Sequence, residues 1–181
     1  IYNHFDTSKN CSAGGDLRSL LNYEDIDNAV LTEGCFYSLF VYNRKLTDIT
    51  NLKLPSTTLA PYCYMYLFSN CTSLTSVPEN LLPATTLAPF CYAELFYSCY
   101  SLQKAPKLPA TELVEFSYYY MFEECYSLTE VTTYANDISS ENCIEGWLSG
   151  VSSSGTCRNL GSAEYTSGES GIPEGWNVVT Q

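Results

Sequence analysis

The chain repeats a sequence pattern at intervals of 26 to 28 residues, and this repeat limits the possible folds more than any other feature. Four segments align, and each carries a phenylalanine at the same place: Phe40, Phe68, Phe96 and Phe122. These positions are separated by 28, 28 and 26 residues. A period of this length is typical of stacked structural units, because one unit alone cannot bury its apolar face. We therefore expect each repeated position to form a column of side chains in a shared core.

The links between the four segments repeat as well. Leu-Pro-Ser/Ala-Thr sequences begin at residues 54, 82 and 108, a partial unit precedes the array from Leu17, and a degraded unit follows from Cys143. Three columns are therefore predicted to be buried. They are Leu39/Leu67/Leu95/Met121, Phe40/Phe68/Phe96/Phe122 and Leu46/Leu74/Leu102/Leu128.

Each unit also contains signals for secondary structure. Residues 46–49, 74–77, 102–105 and 128–131 are predicted to be short parallel strands, two of them ended by Pro78 and Pro106. Residues 58–68 carry apolar side chains at four-residue spacing, which favours a short helix or helical turns. Thr58 and Thr86 are candidate N-caps for such helices.

The repeat resembles the BspA-like leucine-rich-repeat family of cell-surface proteins, of the type found in Bacteroidetes and in phages. The resemblance rests on the pattern Phe-x-x-Cys-x-Ser-Leu-Thr-x-Val-Pro at residues 68–78 and on the Leu-Pro-Ala-Thr links. The tail at residues 171–178 is also similar to the end of many such proteins. The family implies an α/β solenoid, an extracellular or cell-surface location, and a role in binding or adhesion.

We therefore predict one α/β leucine-rich-repeat solenoid, with short parallel strands on one face and short helices or helical turns on the other. Residues 1–16 are predicted to form an N-terminal cap, residues 17–142 the repeats, and residues 143–181 a C-terminal cap. Side chains in the second cap are expected to cover the last repeat, since a bare terminal strand would expose backbone groups. They are Trp147, Leu148, Ile172, Trp176 and Val178.

The composition excludes several functional classes. The formal net charge is −12, which disfavours nucleic acid and anionic membranes, because both attract basic surfaces. No apolar run approaches the roughly 18 residues of a spanning helix, so we expect no membrane insertion in this segment. The chain begins at Ile1 rather than Met, and we expect it to be a processed or excised piece.

The nine cysteines fall mainly into two columns. Cys71, Cys99 and Cys125 form one, and the other contains Cys35, Cys63, Cys91 and Cys143, with Ser117 in place of a cysteine. An extracellular location would permit disulfides, but the odd number and the expected rung spacing favour reduced, buried thiols. Cys143 and Cys157, in the predicted C-terminal cap, are the candidate exception.

Catalytic and metal-binding patterns are scarce. His4 is the one histidine, no Cys-x-x-Cys is present, and no serine elbow or phosphate-binding glycine loop occurs. The many carboxylates are interpreted as a solvated face rather than as a glycosidase pair. We therefore predict a protein that is not an enzyme and that carries no cofactor or metal.

Tyrosine is abundant, with 16 residues. Tyr64, Tyr92 and Tyr118 form a column headed by Phe36 and are expected to be semi-buried, with their phenol tips reaching water. A second group lies at variable positions, where exposed rings would suit recognition of protein or glycan, although packing is the favoured interpretation for each of them. This group comprises Tyr97, Tyr100, Tyr119, Tyr120 and Tyr126.

Variable polar residues alternate with the apolar ones in the predicted strands and should point outward. Stacked units would align them on one extended surface, which repeat proteins use for binding. The predicted ligand-binding residues are Asp48, Thr75, Ser76, Gln103, Lys104, Thr129 and Glu130. The predicted function is non-enzymatic binding or adhesion to a protein or glycan. The alternative is a structural spacer or assembly domain of a larger surface or phage-derived protein.

Overall fold

A computed structural model describes residues 9–180 of the chain. His4 and the first half of the predicted N-terminal cap lie outside the described residues. The fold is α/β, with parallel strands in two sheets. Helical structure in residues 9–180 is limited to two 3₁₀ helices, Leu17–Leu20 and Ile26–Asn28.

The first sheet contains two strands, β1 (Cys11–Asp16) and β2 (Leu46–Lys53). The second contains β3 (Lys104–Leu108), β4 (Glu130–Thr133), β5 (Gly155–Asn159) and β6 (Trp176–Thr180) in that spatial order. Every pairing is parallel. Because β4 and β5 pair with Glu130 opposite Thr156 and Thr133 opposite Asn159, the pairing follows the sequence repeat.

The predicted strand positions need correction. Residues 46–49 lie inside β2, but β3 and β4 begin two residues later than the predicted 102–105 and 128–131. Residues 74–77, which the structure describes, form no strand, and Pro78 after them has no N–H to donate. Pro106 lies within β3 instead of ending it, which is tolerated because β3 is an edge strand.

The predicted helix at residues 58–68 is wrong. Tyr62, Tyr66 and Asn70 have φ of 57°, 59° and 62°, so every fourth residue is left-handed, and an α-helix cannot accommodate this. Backbone N–H groups alternate between two acceptors: that of Leu67 donates to the Tyr64 carbonyl, and that of Tyr64 donates to the carbonyl of Cys91 in the next unit. The result is a face of linked turns, which we call the turn face. Thr58 and Thr86 form a parallel bridge with each other rather than capping helices.

The predicted core columns are confirmed. The rings of Phe40, Phe68, Phe96 and Phe122 lie in single file, with successive centroids 5.6, 5.4 and 5.5 Å apart and planes within 11° of parallel. The column of Leu46, Leu74, Leu102 and Leu128 is fully buried. In the remaining column Leu39 is only partly buried, while its other members are buried. The repeated apolar residues therefore share one continuous core.

The C-terminal side chains cover the core with one exception. Trp147, Leu148, Ile172 and Trp176 are buried, and the Trp147 indole donates to the Gly171 carbonyl at 2.8 Å. Val178, which was expected to be buried, is 48% exposed on the edge strand β6. Residues 143–149 continue the turn face, since the N–H of Phe122 donates to the Trp147 carbonyl. The proposed division into caps and repeats stays a prediction.

Candidate functional site

The predicted strand-face residues are brought together in consecutive units. The N–H of Gln103 donates to the Thr75 carbonyl at 3.2 Å, and that of Thr129 donates to the Gln103 carbonyl at 3.0 Å. The side chains of Thr75, Gln103 and Thr129 are exposed, as is that of Ser76. These residues therefore form a polar file on the outer surface, but outside the strands in which they were predicted: Gln103 and Thr129 directly precede the first residues of β3 and β4, and residues 74–77 form no strand. We call this file, together with Lys104 and Glu130 at the start of β3 and β4, the strand face.

Charged side chains lie beside this file. The Lys104 ammonium lies 3.1 Å from Oε1 of Glu130, and the Arg158 guanidinium lies 3.6 Å from the same oxygen. Glu130 is half-buried, unlike the exposed Lys104. Surface ion pairs of this kind add little stability, and the exposed Lys104 and Arg158 side chains can contact a ligand.

Asp48 lies apart from the other predicted site residues, in the two-stranded sheet. Its carboxylate accepts hydrogen bonds from the backbone N–H and the hydroxyl of Thr50, at 2.7 and 2.6 Å. These bonds lower the pKa of Asp48, because they favour the charged form. The Asp48 carboxylate is therefore engaged in hydrogen bonds within β2. Its role in ligand binding stays a prediction.

A groove of about 520 Å³ on the turn face was not predicted from the sequence. Three successive units line it with aromatic and polar side chains. Among them are Tyr37, Tyr42, Tyr66, Tyr97, Asn70 and Glu94. Its volume is in the range typical of ligand pockets, about 300–1,000 Å³. We call it the tyrosine groove.

A hydrogen bond between units organises the groove. The Tyr66 hydroxyl donates to Oε1 of Glu94 at 2.9 Å, and the Tyr37 and Tyr66 rings meet edge to face at 5.5 Å. Glu94 is half-buried, and this burial raises the pKa of its carboxyl above the usual value. The pKa of Tyr66 is also raised, first by burial and then by its hydrogen bond to Glu94.

A further carboxylate, that of Glu123, interacts with Glu94 of the groove. Burial raises the pKa of Glu123, and the nearby charges of Glu124 and Glu94 raise it further. Glu124 accepts a hydrogen bond from the Ser98 hydroxyl at 2.6 Å. No lysine or arginine of the described chain lines the groove. The described lining therefore presents one carboxylate, that of Glu94, beside tyrosine rings, and no basic side chain.

A signal for this groove was present in the repeat. Ser38, Tyr66 and Glu94 are spaced 28 residues apart and occupy one column, as do Tyr42 and Asn70 in another. Only Tyr97 had been singled out among the groove tyrosines. Alignment of the variable turn positions, in addition to the variable strand positions, would have grouped these side chains.

The prediction that Tyr64, Tyr92 and Tyr118 are semi-buried is wrong, since all three are at most 2% exposed. Their rings stack in file below the turn face, with the first two 5.9 Å apart, and burial raises the pKa of each phenol. Among the variable tyrosines, Tyr100 and Tyr126 are exposed and stack on each other at 5.1 Å. The first column therefore belongs to the core rather than to a binding surface.

Most of the cysteines likewise lie in the core. The thiols of Cys71, Cys99 and Cys125 donate to phenylalanine carbonyls of the preceding units at 3.1 to 3.2 Å. Cys143 and Cys157 are both free thiols, and Cys143 donates to the Ile138 carbonyl. Burial raises the pKa of Cys91 to about 12 and that of Cys157 to about 11. Such thiols are poor nucleophiles because the thiolate is scarce at neutral pH.

The described chain offers neither a metal-binding cluster nor a membrane-spanning helix. Residues 9–180 contain no group of three or more His, Cys, Asp or Glu side chains placed to hold a metal ion. They also contain no helix with the length and apolar character needed to cross a membrane.

Comparison with family models, with curated proteins and with solved structures finds no match to this chain.

Proposed function

We propose that the chain is a BspA-like leucine-rich-repeat solenoid that acts as a non-enzymatic binding or adhesion module outside the cell or at its surface. Its ligand is a protein or a glycan, and the strand face makes the contact. The observation that carries this proposal is the exposed polar file of Thr75, Gln103 and Thr129, held in register by backbone hydrogen bonds.

A regular file of this kind suits recognition for a physical reason. The backbone bonds fix the spacing of successive side chains, so the backbone is already ordered when a ligand binds and only side-chain freedom is lost. Lys104 and Glu130 add one charge of each sign beside the file, at a contact distance of 3.1 Å. The surface thus offers hydroxyl, amide, ammonium and carboxylate groups to a polar partner.

The burial of the cysteine thiols and the small number of carboxylates in the groove support the non-enzymatic part of the proposal. The thiols in the two repeated columns are buried or half-buried, and burial raises the pKa values of Cys63, Cys99 and Cys125. The tyrosine groove contains one carboxylate, Glu94, whereas the usual hydrolysis of a glycosidic bond employs two.

Binding arrays with strand-face variants test the proposal. The chain would be applied to a glycan array and to an array of purified extracellular proteins. We expect at least one specific ligand, whose binding is lost in the double variant Thr75→Arg/Gln103→Arg because two long side chains obstruct the file. The control is Thr111→Arg, which adds one arginine side chain at an exposed site outside the file, and it is compared with each of the two single variants as well as with the double variant.

Two results would count against the proposal. A ligand that binds the double variant as well as the unaltered chain would place recognition elsewhere. Absence of any ligand, with unchanged behaviour of a parent protein that carries the double variant, would favour the structural spacer or assembly role.

A further inference from the structure

The tyrosine groove combines aromatic faces with a partly desolvated negative charge. Tyr37 and Tyr42 are 44% and 54% exposed, so their rings are accessible to a ligand. Glu94, with its hydrogen bond from Tyr66, lies on the same lining. Aromatic faces attract cations through their quadrupole, and the attraction strengthens when the site is partly desolvated.

Charge complementarity favours a cationic occupant over a neutral one. The lining includes Glu94 and no basic side chain of the described chain, and Glu123 and Glu124 lie close enough to affect neighbouring charges. Burial of Glu94 without a basic partner is unfavourable, and its raised pKa reports that cost. A bound cation would offset the cost, whereas a neutral sugar would leave the carboxylate uncompensated.

The length of the groove favours an extended ligand. Its lining comes from three successive units, and core rings in successive units lie 5.4 to 5.6 Å apart. An extended peptide rises about 3.3 Å per residue, so roughly three or four residues would span two such steps. A single small cation would occupy only part of this length.

We propose that the tyrosine groove binds an extended segment of a partner protein that carries lysines, with lysine ammonium groups lying against the ring faces of Tyr37 and Tyr42 in the first unit and near the carboxylate of Glu94 in the third. This site is separate from the strand face and depends only on residues that line or adjoin the groove. It would remain if the strand face bound nothing.

Calorimetric titration of the full chain with short peptides tests the proposal. The probe is acetyl-Gly-Lys-Gly-Lys-Gly-amide, and the matched neutral probe carries acetyl-lysine at both lysine positions. We expect binding of the lysine peptide that weakens as salt is added, and no binding of the acetyl-lysine peptide or of maltotetraose. A peptide with trimethyl-lysine should still bind, because cation–π attraction does not require N–H groups.

Single substitutions separate this groove from general attraction to an acidic protein. Glu94→Gln should weaken binding of the lysine peptide roughly fivefold to tenfold, while it keeps an acceptor for Tyr66. Glu112→Gln removes the same charge from an exposed site outside the groove and should have no comparable effect. Tyr42→Leu should weaken binding about twofold to fivefold and Tyr42→Phe should preserve it, because only the latter keeps a ring face. Tyr23→Leu, at a tyrosine that is 77% exposed, is the control.

The proposal is overturned if the lysine peptide does not bind, if the acetylated peptide or maltotetraose binds equally well, or if Glu112→Gln weakens binding as much as Glu94→Gln. Circular dichroism of each variant confirms that it is folded. The strand-face double variant Thr75→Arg/Gln103→Arg should still bind the lysine peptide, so failure of one proposal is distinguishable from failure of the other.

Discussion

The thiol of Cys99 donates a hydrogen bond to the carbonyl oxygen of Phe68 at 3.2 Å, and this contact joins one repeat to the preceding one. The same contact links Cys71 to Phe40 and Cys125 to Phe96. Each thiol lies beside the file of phenylalanine rings. The cysteine column therefore has a structural role in joining successive units.

Replacement of Cys99 by alanine should destabilise the protein. The change removes a fully buried side chain and its hydrogen bond, and we expect a loss of about 1–2 kcal/mol in the free energy of unfolding. Urea denaturation measures it. Cys35→Ala, at a half-buried position, should cost less. A Cys99→Ala variant as stable as the unaltered chain would show that the thiol contact contributes nothing.

Alkaline pH should unfold the protein through its buried thiols and phenols. Burial raises the pKa of Cys157 to about 11, and holds the pKa values of Tyr92 and Tyr118 well above their usual value. These groups stay protonated in the folded chain while the unfolded chain ionises at its ordinary pKa values. Stability is therefore fully present below about pH 9 and falls as pH rises, by up to about 1.4 kcal/mol per pH unit for each group.

Thermal melting followed from pH 8 upward checks this expectation, with tyrosinate absorbance recorded on the same samples. The buried tyrosines should ionise only as the protein unfolds. Titration of all 16 tyrosines near their ordinary pKa in a protein that remains folded would contradict it.

The repeat alone was enough to predict the core but not the local backbone. Matching residues such as Phe68 and Phe96 must occupy equivalent places, so the columns follow from the alignment. The four-residue spacing around Leu67 was misread as helical, because a chain of turns with a left-handed residue at every fourth position has the same period. Most of the left-handed positions carry tyrosine, phenylalanine, serine or glutamate, as at Tyr66, Ser98 and Glu124. Only a few carry the asparagine or glycine that signals a left-handed residue, such as Asn70 and Gly146.

The tyrosine groove escaped prediction for a related reason. Its residues vary from unit to unit, so similarity between repeats does not mark them. The strand-face file was found because its alternation with buried residues has a known geometry. Tyr42 and Glu94 lie on the turn face, where the repeat aligns equivalent positions but no known geometry tells which of them point outward.

Replacement of Ser117 by cysteine should stabilise the protein. Ser117 is fully buried, and its hydroxyl has no hydrogen-bond partner in the described structure. Cysteine occupies the same place in neighbouring units, at Cys91 and Cys143, and tolerates burial better than a hydroxyl group does. We expect a gain of about 1 kcal/mol in Ser117→Cys.

The control for this change is Ser98→Ala. Ser98 is also buried, but its hydroxyl donates to Glu124 at 2.6 Å, so its removal should destabilise the chain. Thermal melting of both variants compares a buried hydroxyl that lacks a partner with one that has a partner. A lower melting temperature for Ser117→Cys would refute the argument.

Two glycine substitutions should separate backbone strain from close packing between units. A Cβ atom added at Gly161 would lie 2.0 Å from the carbonyl oxygen of Ala135, a backbone atom that cannot turn aside. At Gly34 the backbone is left-handed, with φ of +60°, but an added Cβ would meet nothing closer than 3.9 Å. Gly34→Ala should therefore cost only the left-handed penalty, about 1 kcal/mol.

Gly161→Ala should cost more, about 2–3 kcal/mol, because one of the two backbone segments must move. The N–H of Ala163 donates to the same Ala135 carbonyl at 3.0 Å, so that movement would also strain a hydrogen bond between the last two units. Urea denaturation of the two variants gives the comparison. Equal losses at the two positions would mean that the contact between Gly161 and Ala135 is looser than the structure indicates.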